Sequence, residues 1–410
     1  MSSEVPPDSP LAASIDPEET VSLLQELVRI PSPFFEETEI AEFIYDWLDS
    51  RELDPKYHHV SEPDITGFEG RNVVARLDGT NPDAPTVLLN AHMDTVEPVD
   101  GWDEDPTSGR IDGEKLYGQG ACDMKGGLAA VLVAFDALAN RDLAGDVLLT
   151  AVVDEEGPFG LGTDAIVRDG LVDDCDLAVV TEPAPVLAQR EIQNPALVLG
   201  ARGRYLYEIT VEGRAAHGSQ PSEGVNAALD AARLAQAFNT LELGEHPELG
   251  TGSVCLLEIE GGGHPLSVPA HCSLKVDRHV VPGETAKSVL ADAERLVEIL
   301  DLQSEISISL REPPASDMHY RPYVTHVDQP LVESFVESTR TLFGVDPEIG
   351  YCTSIGDFNH LGGRADIPTV IVGPDGSEIH SADEFVVTDE VVDTARIVAD
   401  VTDRIVRLSR

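Results

Sequence analysis

Four short segments of the chain share one design, in which an apolar run ends or a glycine-rich turn follows, and acids or a histidine come at once. They are Val87-Leu88-Leu89-Asn90-Ala91-His92-Met93-Asp94, Gly118-Gln119-Gly120-Ala121-Cys122-Asp123-Met124-Lys125-Gly126-Gly127, Ala151-Val152-Val153-Asp154-Glu155-Glu156-Gly157 and Val179-Val180-Thr181-Glu182-Pro183. Three of them read as buried strands that end in acids, and the glycine-rich one opens a helix. In an open α/β sheet, ligand sites gather at the carboxyl ends of strands. A fifth segment, Gly373 to Glu384, puts His380 just beyond another apolar run. Among 75 acids, any single Asp or Glu reads as solvated surface, and His92 alone as a structural histidine. The set is what points to chemistry. Two histidines and three to four carboxylates supply mixed nitrogen and oxygen donors, suited to Zn²⁺ or a neighbouring divalent ion. Paired ions ~3.5–4 Å apart need one carboxylate shared between them. Gly118-x-Gly120 is not a dinucleotide loop, because the third glycine is missing and Asp123 stands where phosphate would come.

The elements that must position these residues follow from periodicity. Residues 1–15 read as a loose polar arm. Asp16-Pro17-Glu18-Glu19 is a helix start, with an N-cap acid and proline at the first helical position. An amphipathic helix carrying Ile40, Phe43, Ile44, Trp47 and Leu48 comes next. Then short apolar strands over 72–77, 86–90, 146–153 and 176–180 alternate with a helix over 125–139, which argues for an α/β domain with a largely parallel sheet. Near residue 200 the order changes to strand–helix–strand–strand–helix–strand, the ferredoxin-like split βαβ order. It fits a smaller domain of residues 197–310 inserted into a catalytic domain of residues 16–196 and 311–410.

Composition bounds the partners. The 410 residues carry a net charge of −48, from 75 acids against 27 cations, of which only 5 are Lys. Nucleic acid and anionic membrane both demand a basic face that this chain cannot build. Scattered acidity with little Lys reads as the solvated surface of a halophilic protein. The five cysteines form no CxxC pair, so neither a zinc ribbon nor a disulfide framework is suggested. No signal peptide or membrane-spanning run is evident, and a cytoplasmic protein is expected.

With all five segments in order over about residues 16–408, the chain resembles the di-zinc amidohydrolase and metallopeptidase family of acetylornithine deacetylase, succinyl-diaminopimelate desuccinylase, aminoacylase and glutamate carboxypeptidase. The resemblance implies a zinc-exopeptidase-like catalytic domain, with the insert serving as lid and dimerisation domain. It implies two divalent ions, Zn²⁺ first and Co²⁺ as the alternative. His92 and Glu182 would bind one, Glu156 and His380 the other, and Asp123 would bridge them. Asp94 would orient His92, and Glu155 would be the general base. Arg214 to Pro221 resembles the lid motif whose histidine, here His217, polarises the scissile carbonyl and in dimeric members comes from the partner subunit. Arg278, before Pro282-Gly283, matches an arginine that grips a substrate carboxylate. Two positions depart from the pattern: Ser267 replaces a substrate-contacting Asn, and Asp375 replaces a glycine after Gly-Pro.

The implied reaction is hydrolysis of the amide of an N-acyl amino acid such as acetylornithine or succinyl-diaminopimelate, toward which Glu182 leans. A carboxypeptidase or dipeptidase acting on short peptides is the alternative. A metal-binding protein without catalysis is disfavoured by Glu155, since a scaffold has no use for a base beside its ligands. The expected partners are the small-molecule substrate and a second copy in a homodimer. His58, His59, His264, His271 and His360 lack partners at ligand spacing and read as ordinary.

Overall fold

A computed structural model describes residues 9–263, 265–311, 313 and 318–408. The chain divides into two compact units, one of residues 1–201 and 324–410, the other of residues 202–323.

The first unit is built on a mixed sheet. Its main strands are β1 (Lys56–Glu62), β2 (Phe68–Leu77), β3 (Val87–His92), β4 (Val147–Val152), β5 (Leu177–Val180) and β6 (Ala196–Ala201), with the short Tyr323–Val324 at the edge beside β6. After four strands of the second unit, numbered below, come β11 (Glu348–Cys352) and β12 (Thr369–Ile371). The spatial order is β1-β2-β4-β3-β5-β12-β6, with β11 beside β6. The four central strands, β4, β3, β5 and β12, run parallel, and the flanking pairs β1–β2, β2–β4 and β12–β6 are antiparallel. Every residue of the central four is buried, as expected of parallel strands covered on both faces. Because they run the same way, all four carboxyl ends open on one edge of the sheet.

The covering helices include α1 (Pro17–Val28), α2 (Thr38–Asp49), α3 (Gly126–Ala139), α4 (Leu161–Arg168) and, after two helices of the second unit, α7 (Pro330–Phe343) and α8 (Thr388–Ile405). Asp16 caps α1 as its type suggests, accepting the amides of Glu18 at 2.8 Å and Glu19 at 3.4 Å. Helix α3 packs against α1 and α8 and is apolar almost all round, so it is buried almost all round. Its second residue, Gly127, meets the end of β5 so closely that a Cβ would lie 1.7 Å from the Thr181 carbonyl oxygen. Only glycine lets the helix start there.

In the second unit, β7 (Gly203–Glu212), β8 (Ser253–Gly262), β9 (His271–Val280) and β10 (Glu305–Leu310) form an antiparallel sheet in the order β8-β9-β7-β10. Helices α5 (Ala227–Ala237) and α6 (Ala286–Leu300) share its apolar core, which includes Ile209, Leu234, Leu274 and Val289. This is the ferredoxin-like order read from the sequence.

Three expectations are corrected. The N-terminal arm is not loose over its described part: Pro10–Ala13 forms a helical turn, Leu11 and Ile15 are buried, and the Ser9 hydroxyl donates to Asp400 of α8 at 2.6 Å. Residues 1–8 of that arm lie outside the described residues. The first unit extends past residue 196 to 201, because β6 pairs with β12 and β11 in the main sheet. The second unit continues beyond residue 310 to Tyr323, where Arg204 and Tyr320 form a bridge. Among the described residues no helix is long and apolar enough to cross a membrane.

Candidate metal centre

The carboxyl ends of the four parallel strands deliver the side chains singled out by type. His92 closes β3, Glu155 and Glu156 follow β4, Glu182 follows β5, and His380 lies in the loop after β12. Asp123 comes from the turn that leads into α3. The structure brings five of these into two groups that share Asp123: His92, Asp123 and Glu182 in one, and Asp123, Glu156 and His380 in the other. In each group the donor atoms lie within 4.8 Å of one another. His92 Nε2 lies 3.3 Å from Asp123 Oδ1 and 3.6 Å from Glu182 Oε1. His380 Nε2 lies 2.9 Å from Glu156 Oε1 and 3.5 Å from the other oxygen of Asp123, Oδ2.

The electrostatics of this cluster suit cations. Burial, with the Asp123 charge beside it, pushes the Glu156 carboxyl up to about 7. Burial likewise holds Glu182 well above the ordinary carboxylate range. The hydrogen bonds from His380 and His92 outweigh burial at Asp123 and hold that carboxyl low. Hydrogen bonds to Asp123 and Glu156 raise the His380 imidazole to about 10. Among the described residues, the ion pairs of Asp123, Glu156 and Glu182 are all with histidines, so no Lys or Arg neutralises three crowded carboxylates. A buried acid cluster of that kind calls for protons or metal ions. Two imidazoles and three carboxylates in two groups with one shared member fit a pair of divalent ions.

Asp94, expected to orient His92, meets the ring chiefly through its backbone oxygen. The Nδ1 of His92 lies 3.0 Å from the backbone oxygen of Asp94 and 3.6 Å from its carboxylate. That carboxylate instead accepts two amides, from Glu155 at 3.1 Å and from Glu156 at 2.9 Å. It therefore pins the turn after β4 to the end of β3. Glu155 sits beside the cluster without belonging to either group. Burial, together with Glu182, Asp357 and Glu156 and against the pull of His92, raises its carboxyl well above the ordinary value. Gly356 lines its other side: a Cβ there would lie 2.7 Å from Glu155 Oε1.

The remaining candidates lie in the second unit. His217 is exposed and bridges to Ser267, so these two are neighbours. The Ser219 amide donates to His217 Nδ1 at 3.1 Å, which makes Nε2 the protonated nitrogen of the neutral ring. Arg278 is the miss. Strand alternation turns it away from Asp277 and His279 and into the core, where it is 1% exposed. Its Nη2 lies 2.5 Å from Glu284 Oε1, and Nη1 donates to the carbonyls of His279 and Ser253. The guanidinium braces the turn after β9 and is not offered to a ligand.

Of the buried acids not singled out by type and spacing, two accept backbone amides of the segments named above. Glu37 accepts the amides of Phe35 at 2.9 Å and Asp154 at 3.1 Å, and Glu384 accepts those of Gly120, Cys122 and Asp123. Glu384 closes the fifth segment without an assigned role, and Glu37 lies outside all five segments. Of the histidines read as ordinary, His58 meets Asp169 at 3.0 Å, His271 meets Glu212 at 2.9 Å, and His360 is buried against the Phe159 carbonyl. His264 lies outside the described residues.

Fold and donor set together define an α/β protein with a candidate two-metal site. The sequence profile of peptidase family M20/M25/M40 matches residues 88–404, and the chain belongs to that family. It is 27% identical over 408 residues to a succinyl-diaminopimelate desuccinylase of Methylobacterium radiotolerans, covering 93% of this chain and 95% of that one. Among solved structures, aminopeptidase PepT of Bacillus cereus superposes with a TM-score of 0.77 at 20% identity, over 95% of this chain and 99% of that chain. The dinuclear metal-binding peptidase YXEP of Bacillus subtilis gives 0.71 at 14% identity, over 95% and 98%.

Proposed function

We propose that the protein hydrolyses the amide bond of an N-acyl amino acid. His92 and Glu182 would hold one divalent ion, Glu156 and His380 the other, and Asp123 both, with Zn²⁺ the first candidate and Co²⁺ the second. When bound, such a pair polarises the scissile carbonyl and makes water acidic enough to lose a proton near neutral pH. Glu155 takes that proton and passes it to the nitrogen as the carbon–nitrogen bond breaks, so the amine leaves neutral and the acyl group leaves as a carboxylic acid, whose remaining proton is then lost to solvent or to the amine. A carboxyl pushed up by burial is suited to holding the proton between the two steps. His217 would donate from Nε2 to the carbonyl oxygen as it gains charge. Ser267 would contact substrate beside it. A homodimer, with His217 serving the partner's site, completes the proposal.

The observation that carries this reading is the clamp on the Glu155–Glu156 pair. One carboxylate, Asp94, fixes both amides, so Glu156 can turn to His380 while Glu155 stays beside the cluster. The likeness to a succinyl-diaminopimelate desuccinylase over nearly the whole chain supports a deacylase, and the family itself supports a carboxypeptidase or dipeptidase as the second reading. The test is a panel of N-acetyl-, N-succinyl- and glutamyl-amino acids and dipeptides, assayed with Zn²⁺ or Co²⁺. At least one N-acyl amino acid should be turned over faster than any dipeptide. A chelator should abolish that turnover and added metal should restore it. Full turnover in protein shown by elemental analysis to be metal-free would end the proposal.

A further inference from the structure

Glu384 stands four residues after His380 and just before the short strand Phe385–Val387, and its side chain is buried, 1% exposed. Its Oε2 accepts the Gly120 amide at 2.8 Å, and its Oε1 accepts those of Cys122 at 2.9 Å and Asp123 at 3.0 Å. Its backbone carbonyl accepts a further amide, from Gly118, at 3.0 Å. Gly120 adopts the left-handed conformation, φ +71°, in the turn whose amides at residues 120, 122 and 123 converge on this side chain. A Cβ at residue 120 would also strike Thr95 at 2.2 Å, so the turn is open to glycine alone. Converging amides of this kind form an anion-binding nest. Here a carboxylate of the same chain, from the loop that carries His380, fills it.

The consequence reaches the ligands. Asp123 must present Oδ1 toward His92 and Oδ2 toward His380, which leaves its backbone little freedom. Glu384 holds that backbone at the amide of Asp123 itself. We propose that Glu384 is a positioning residue of the metal centre, fixing the shared ligand Asp123 and tying it to the His380 loop before any ion arrives. The inference rests on the metal-centre reading above and adds the residue that presets its geometry.

Co²⁺ titration, followed by visible absorption and by elemental analysis, tests it without substrate. Glu384→Gln keeps the size of the side chain but turns an NH₂ group toward a backbone N–H. The folded variant should bind Co²⁺ at least tenfold more weakly than wild type at one or both positions, with a changed absorption spectrum. A merely structural role would lower the melting temperature and leave both readouts alone, so a folded Glu384→Gln variant with two Co²⁺ bound at wild-type affinity and an unchanged spectrum overturns the inference. If that variant does not fold, amide exchange in metal-free wild type decides. Protection over residues 119–124 before Co²⁺ is added supports preset geometry, and protection that appears only with Co²⁺ refutes it. Wild type that binds no Co²⁺ at all would instead fail the metal-centre reading, and this inference with it.

Discussion

Glu155 and Glu156 differ by one position and by everything around them. Both amides are held by Asp94, yet Glu156 meets His380 at 2.9 Å while Glu155 belongs to neither donor group. Glu155→Gln keeps volume and hydrogen bonding but cannot take a proton from water. It should keep near-normal metal content and lose kcat by ~10²–10⁴, the usual share of general acid–base catalysis. Glu156→Gln should lose metal occupancy instead. Elemental analysis beside steady-state kinetics separates the two, and the opposite pattern would mean that base and ligand are exchanged. The strand-end residues are legible in the sequence because each follows an apolar run, and the run shows where the side chain emerges. Arg278 is misread for want of one step: a strand alternates, so the arginine next to an outward Asp277 must point inward. Glu37, outside every segment, and Glu384, which closes the fifth one, receive no role from the sequence for a different reason. A buried acid that accepts backbone amides looks, in a chain with 75 acids, like any other.

At the scale of elements, the alternation of strands and helices and the ferredoxin-like order are both visible as changes of period. The boundary between them is not. Ala196–Ala201 reads as one more apolar strand, and only its pairing with β12 and β11 assigns it to the main sheet. The irregular turn Asn359–Arg364 likewise leaves no sequence signature, and it is fixed in part by His360, whose ring lies fully buried 3.2 Å from the carbonyl of Phe159 in the turn before α4. Burial pushes this imidazole down to about 4. Between pH ~6.5 and ~4 the unfolded chain binds a proton there that the folded chain refuses, so this group removes stability as pH falls through that window. His360→Gln keeps a donor for the Phe159 carbonyl and cannot titrate. Urea unfolding at fixed ionic strength should show the stability gap between variant and wild type moving by about 2 kcal/mol in the variant's favour from pH 7 to pH 5. A gap that stays constant across that range would mean His360 is as easily protonated folded as unfolded.

The whole molecule carries a net charge of −48, and a folded chain so charged repels itself unless salt screens it. The Debye length shrinks from ~10 Å at 0.1 M to ~3 Å at 1 M, so a surface of this kind should be held together by molar salt. Lowering salt to tens of millimolar should lower the melting temperature, and an unchanged melting temperature would remove the halophilic reading while leaving the enzymatic one intact. A dimer would also settle whose site His217 serves. Two inactive variants, Glu155→Ala and His217→Ala, are prepared separately and mixed in equal amounts, with subunit exchange confirmed by a tagged pull-down. If His217 completes the partner's site, a mixed dimer has one site with both lesions and one with neither. Random pairing makes half of the dimers mixed, so activity should recover to roughly a quarter of wild type. If His217 acts within its own chain, every site keeps one lesion and mixing restores nothing. With exchange demonstrated and no recovery, the role of His217 across the interface is abandoned, while Glu155 and the metal centre stand as before, because each variant alone already reports on them.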